Sequence, residues 1–250
     1  MEKLTLSLCV QGRASFIDGN YLANEILSHM LHLQTFHFDI VTQYITINEE
    51  PRPCSDSIRR TFTEAGRDTD CYVDYYLNGT GRCHVYSLPF TLERIRHISH
   101  SFPGGMFINV RILRVFDMYP FENAFFARIA LAFPLLNHLT ISNAIKQKKK
   151  SSHQLENSEE ESSIIEYPHL IELVFSCVHI DYVEQFLSSL NTRLPCLSKL
   201  HVQYEQLVTV TESFTRNATR INCAKLKHIT FHEDVNLEHS KDFYIYFPLL

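Results

Sequence analysis

The stretch LPCLSKLHVQYEQL, residues 194–207, reads as one buried strand held between two turns. With Leu197 as position 1, its apolar residues Leu197, Leu200, Val202 and Leu207 fall at positions 1, 4, 6 and 11. The same spacing returns at Leu170, Leu173, Phe175 and Ile180, and its first three positions at Leu226, Ile229 and Phe231. Earlier copies are Leu136-Leu139-Ile141, Val110-Leu113-Val115, Leu33-Phe36-Phe38 and Met1-Leu4-Leu6. Pro134, Pro168 and Pro195 each stand two residues ahead of position 1, where a fixed φ stops a preceding helix and delivers the chain extended. In-phase recurrence of this kind is the signature of a repeat architecture.

Between copies the apolar period lengthens from 2 to about 3.6, the helical value. DYVEQFLSSLNTR places Val183, Phe186, Leu187 and Leu190 on one face, with Asp181 and Glu184 spaced as a capping box. PFENAFFARIALAF opens on Pro120, suited to a first helical turn, and aligns Phe121, Phe125 and Ile129. NYLANEILSHM offers Leu22, Ile26 and Met30, and TLERIRHISHSF offers Ile95, Ile98 and Phe102. A lone strand and helix cannot bury their apolar faces, whereas stacked copies share a core. The expected fold is therefore an α/β solenoid occupying residues 1–250 as a single domain.

Two segments interrupt the rhythm. Residues 43–82 hold a candidate helix, SDSIRRTFTEAG, and then a β-hairpin signalled by Asn78-Gly79. The second run of that hairpin, ending VYSLPF, is expected to join the main sheet through Tyr86, Leu88 and Phe90. Residues 145–163 are polar and charged, and predict a disordered insertion. The final Phe247-Pro248-Leu249-Leu250 reproduces Phe133-Pro134-Leu135-Leu136, so the reading expects a fragment or truncated relative of a longer array.

Composition narrows the function classes. The formal charge of −5 and the pairing of a basic run, Lys146 to Lys150, with an acidic one, Glu159 to Glu161, argue against general nucleic-acid binding. Only seven glycines are present, and GxSxG, GxGxxG and P-loop motifs are missing, so no catalytic residue and no cofactor is predicted. Seven cysteines without a CxxC pair predict neither a disulfide framework nor a thiolate zinc site, and point to a reducing compartment, the cytoplasm or nucleus. A hairpin turn pairing Leu77 with Thr80 sets Tyr86 opposite Cys71, so Cys71 and Cys83 are not expected to face each other. The most apolar window, Phe125 to Leu136, is broken by Arg128 and Pro134 and predicts no membrane span.

The units Leu197-Leu200-Val202 and their counterparts resemble divergent leucine-rich repeats. Residues 83–143, from CHVYSLPFTLERIRHISHSF through PFENAFFARIALAFPLLNHLTISN, resemble the repeat region of F-box/leucine-rich-repeat-like proteins. The resemblance implies a leucine-rich-repeat-like solenoid, a curved parallel sheet with helices on its convex side. It also implies that this solenoid binds a protein, as the substrate-recognition region of an F-box-type ubiquitin-ligase receptor or a truncated relative. Residues 1–250 contain no F-box segment of the Leu-Pro-x-Glu type, so a ubiquitin-ligase adaptor is a partner only through a preceding F-box. Two alternatives stand beside it: a hydrolase or metal-dependent α/β enzyme, and a scaffold or inhibitor unconnected with ubiquitin.

Strand side chains alternate, so positions 4 and 6 face the core while positions 3, 5 and 7 face outward. The partner-binding residues expected on a concave face are His37, Asp39, Arg114, Phe116, His138, Glu172, Lys199, His201, Gln203, His228 and His232. This surface is rich in histidine, yet no HExxH or His/Cys ligand set accompanies the pairs His228/His232 and His97/His100, so no metal site is predicted.

Overall fold

Each apolar copy becomes a strand, but the strands sort into two sheets instead of one. The computed structural model describes residues 3–46, 51–148, 164–232 and 240–250; most of the expected charged insertion, residues 149–163, lies outside them. The chain divides into two compact units, Met1–Ile95 with Ser101–Pro103, and Arg96–His100 with Gly104–Leu250.

The first unit holds β1 (Lys3–Val10), α1 (Gly19–Tyr21), β2 (Thr35–Thr46), α2 (Ser55–Glu64), β3 (Thr69–Tyr75) and β4 (Thr80–Ser87). Its sheet runs β1-β2-β4-β3. The two apolar copies pair in parallel and in phase, Leu4 opposite Phe36 and Leu6 opposite Phe38. The β3–β4 hairpin then adds to β2 antiparallel, with Ile40 opposite Val85. Phe36, Phe38 and Ile40 from β2, Cys83 and Val85 from β4, and Ile58 and Phe62 one turn apart on α2 form the core. Gly19 meets α2 so closely that a Cβ would sit 2.3 Å from the Thr61 carbonyl oxygen, which excludes any larger residue there.

The second unit contains the end of β5 (Arg94–Ile98), β6 (Ile112–Phe116), α3 (Asn123–Ala132), β7 (His138–Ser142), β8 (Ile165–Glu166) and β9 (Glu172–Phe175). It continues with α4 (Ile180–Leu187), β10 (Thr192–Arg193), β11 (Lys199–Val202), α5 (Tyr204–Val210), α6 (Asn217–Cys223), β12 (His228–Phe231) and α7 (Lys241–Tyr246). Its main sheet has six strands in the order β12-β11-β9-β7-β6-β5, and β8 and β10 form a separate parallel pair. From β6 to β12 the pairing is parallel and keeps the repeat in phase: Leu113, Leu139, Leu173, Leu200 and Ile229 are successive partners. All but the last are fully buried.

The single curved parallel sheet of a leucine-rich-repeat-like solenoid, expected through residues 1–250, is thus overturned: no solenoid is found among the described residues. The physical reason lies at β4. It takes the free edge of β2 in the antiparallel sense, where continuation of a single parallel sheet would need another parallel strand. The VYSLPF run accordingly enters the four-stranded sheet and ends its strand at Ser87, leaving Leu88 exposed.

Local corrections have equally specific causes. TLERIRHISHSF forms β5, not a helix. His97 adopts φ 61°, and this left-handed residue resets the alternation so that Ile95 and Ile98, three apart, are both buried. A strand with such an irregularity imitates helical spacing. In the hairpin, Cys71 faces Val85 instead of Tyr86. The loop is Leu77-Asn78-Gly79, closed by Tyr76 N–H to the Thr80 carbonyl at 2.9 Å with Gly79 at φ 79°, which shifts the register by one residue. Cys71 and Cys83 are free thiols. The α4 cap is His179, not Asp181, and α3 begins at Asn123, beyond Pro120.

The repeated prolines have a different task from the one the sequence suggests. Leu136 N–H reaches the Phe133 carbonyl at 3.1 Å, Leu170 reaches Tyr167 at 3.3 Å, and Leu197 reaches Leu194 at 3.3 Å. Pro134, Pro168 and Pro195 are therefore the second residues of β-turns that lead into β7, β9 and β11, a position their fixed φ favours. Leu250 N–H closes the same turn on the Phe247 carbonyl at 3.3 Å around Pro248. The Leu200 side chain, fully buried between the Leu173 and Ile229 rungs, tests how much of the second unit rests on this row. Leu200→Ala is expected to lose about 2–5 kcal/mol in urea unfolding, and a loss well below that range would show that the row does not hold the sheet.

Candidate functional site

The repeat brings four of the expected surface residues together on the six-stranded sheet. His138 on β7, Glu172 on β9 and Lys199 on β11 occupy the same rung, and His201 lies two residues along β11. The Glu172 carboxylate faces all three cationic-type groups: His201 Nε2 at 3.1 Å from Oε1, His138 Nδ1 at 3.4 Å and Lys199 Nζ at 3.9 Å from Oε2. His138 also contacts Thr140 Oγ1 at 3.2 Å through Nε2. These side chains are partly exposed, in the range where an ion pair contributes about 0.2–1 kcal/mol. The cluster orders a patch of surface across three strands while adding little to stability.

Other expected residues surround it or fall elsewhere. Arg114 is exposed on β6, and Phe116 on the same strand packs edge-on to His97, with ring centroids 6.1 Å apart. His228 is exposed on β12 opposite Lys199. Gln203 is the exposed cap of α5, and the His232 Nε2 donates to the Phe175 carbonyl. His37 and Asp39 belong to the first unit. His37 is partly exposed, but Asp39 is buried and cannot serve a partner surface.

Asp39 instead anchors a buried polar chain. His84 Nε2 lies 2.6 Å from Asp39 Oδ1, Tyr72 Oη lies 2.8 Å from His84 Nδ1, and Ser7 Oγ donates to Asp39 Oδ2 at 3.1 Å. The imidazole therefore bridges the Asp39 carboxylate and the Tyr72 hydroxyl, one ring nitrogen to each. Alternation foretells none of this: β2 lies between β1 and β4, and only the cross-strand register shows that Asp39, Ser7 and His84 converge. Asp–His–Tyr is acid–base chemistry by residue type, but His84 and Asp39 are 1% and 2% exposed and out of a substrate's reach. Burial likewise pushes the Cys71 thiol up to about 11 and Cys223 to about 12, so neither is a thiolate nucleophile near neutrality.

A second carboxylate, at position 8 of the β6 copy, escaped the sequence reading. Asp117 accepts from His100 N–H at 2.6 Å, His100 Nδ1 at 2.7 Å, Met118 N–H at 2.6 Å and Tyr119 N–H at 3.1 Å. The next copy repeats the device with Asn143, whose amide donates to the Tyr119 carbonyl at 2.6 Å and accepts from Ile145 N–H at 2.8 Å. Asp and Asn at equivalent positions were the available signal. Burial works against the Asp117 charge, but the His100 side-chain and backbone hydrogen bonds outweigh it and hold the carboxyl below its ordinary value.

Among the described residues, no group of three His, Cys, Asp or Glu side chains is placed to hold a metal ion, and no helix is long and apolar enough to cross a membrane. Two measurements check the buried carboxylates. Asp117 ionises more readily in the fold, so its stabilisation is present above the unfolded pKa of about 3.9 and is lost as pH falls through the lower folded value. Asp117→Asn should therefore flatten the acid limb of the stability–pH curve below about pH 4; an unchanged limb in urea titrations would contradict this. His84→Leu removes the partner of buried Asp39 Oδ1 and should cost about 1–3 kcal/mol, read from the shift in unfolding midpoint. No family model matches the chain, and neither does any curated protein or solved structure.

Proposed function

We propose that the outward face of the six-stranded sheet binds a protein partner, with the Glu172 cluster at its centre. The observation that carries this reading is the convergence of His138, His201 and Lys199 on one carboxylate across three neighbouring strands. Groups buried for stability would be dry and fully paired, as Asp39 is. The Glu172 group is partly exposed, contributes little to folding, and sits on hydrogen-bonded strands, and such preorganisation lowers the ordering cost of binding. Arg114 and Phe116 flank it on β6 and supply residue types that dominate protein interfaces. The ubiquitin-ligase form of this role has the resemblance of residues 83–143 as its support.

Affinity purification with the whole chain and its Glu172→Lys variant tests the role. The variant should melt within about 1 kcal/mol of the parent yet lose the proteins the parent retains. Identical retained sets from two equally folded chains would overturn the assignment. Recovery of a ubiquitin-ligase adaptor by a chain carrying an F-box, and its loss without one, is the separate requirement of the ligase form.

A further inference from the structure

A second surface of the same unit lies at the entrances of its strands. Position 2 of each copy builds it: Arg111, Asn137, Ile171, Ser198 and Lys227. The carbonyls of the first four each accept two N–H groups from the next copy. Arg111 accepts from Asn137 at 2.9 Å and His138 at 3.0 Å, Asn137 from Ile171 at 2.8 Å and Glu172 at 3.0 Å, and Ile171 from Ser198 at 2.9 Å and Lys199 at 3.0 Å. Ser198 accepts from Lys227 at 2.8 Å and His228 at 3.2 Å. The row is therefore regular, and these four carbonyls are committed within the sheet. Recognition along it falls to the side chains.

Those side chains line an open groove of about 550 Å³. Arg111 stands at one end, Lys227 at the other and His169 between them, with no carboxylate in the lining among the described residues. Leu135 and Ile171 are 36% and 43% exposed and supply its apolar floor. Arg111 and Lys227 are four strand steps apart, which at about 4.8 Å per step is roughly 19 Å. That span is too long for a single phosphate. An extended chain advancing about 3.3 Å per residue covers it in roughly six residues.

We propose that this groove binds an extended acidic peptide, with carboxylates near Arg111 and Lys227 and aliphatic side chains over Leu135 and Ile171. Charge complementarity and length select this occupant. Cationic ends exclude a basic peptide, and the apolar floor between them disfavours a purely ionic ligand. The site differs from the Glu172 face in residues and in charge.

Cys196 lies in the groove, while Cys9, Cys54 and Cys177 are exposed elsewhere, so the thiols supply their own control. The probe is an end-blocked peptide of about six residues with aspartates at both ends and leucines between. Maleimide labelling of the whole chain is followed by mass spectrometry at each cysteine. The peptide should slow labelling of Cys196 and leave the other three unchanged. The double variant Arg111→Glu/Lys227→Glu, melting like the parent, should need on the order of tenfold more peptide for equal protection. Protection by a lysine-for-aspartate peptide, equal protection by inorganic tripolyphosphate, or no selective protection of Cys196 would each overturn the proposal. Glu172→Lys should leave protection intact, which separates this site from the partner face.

Discussion

The second unit depends on one backbone link repeated from strand to strand. A carbonyl at the start of each strand accepts the first two N–H groups of the next, and this sets the register of the whole pair. Once register is set, strand alternation does the rest. A slip of one residue would turn Leu113, Leu139, Leu173 and Leu200 outward together and bury Arg114, Thr140, Val174 and His201 in their place. Burying such a Leu is favourable by roughly 1.5–3 kcal/mol, so the slip is opposed at every rung. The link thus determines which side chains hold the sheet and which face outward.

The first unit solves the same problem differently. Its two parallel copies keep their phase, but a hairpin completes the sheet and brings a histidine beside an aspartate that alternation would place on the surface. The polar chain from Ser7 to Tyr72 makes β2 an interior strand with chemistry on both faces: Phe36, Phe38 and Ile40 on one, Asp39 on the other. Such a chain is costly unless each member is bonded. It makes the position of β4 over β2 specific instead of merely hydrophobic.

Sequence spacing carried the strands well because position 4 and position 6 must both be buried, and few residue types satisfy that. It placed Glu172, His138, Lys199 and His201 on one face for the same reason. It could not distinguish one sheet from two, since an antiparallel hairpin and a parallel strand share a period of 2. It misread β5 because a left-handed His97 gives a strand the spacing of a helix. It missed Asp117 and Asn143 because a turn staple is defined by what its carboxylate or amide can reach, and that depends on the neighbouring copy.

The strand-leading turn has a consequence for how such a chain can change. Val110, Leu136, Leu170, Leu197 and Leu226 stand 26, 34, 27 and 29 residues apart, yet their strands pair in strict phase. Each turn closes within four residues and each backbone link is made after it, so the intervening segment has no vote in the register. Length can vary between copies without moving a single rung. Outward-facing residues are then free to diversify copy by copy on a frame that stays the same, which is how one architecture can acquire many different recognition surfaces.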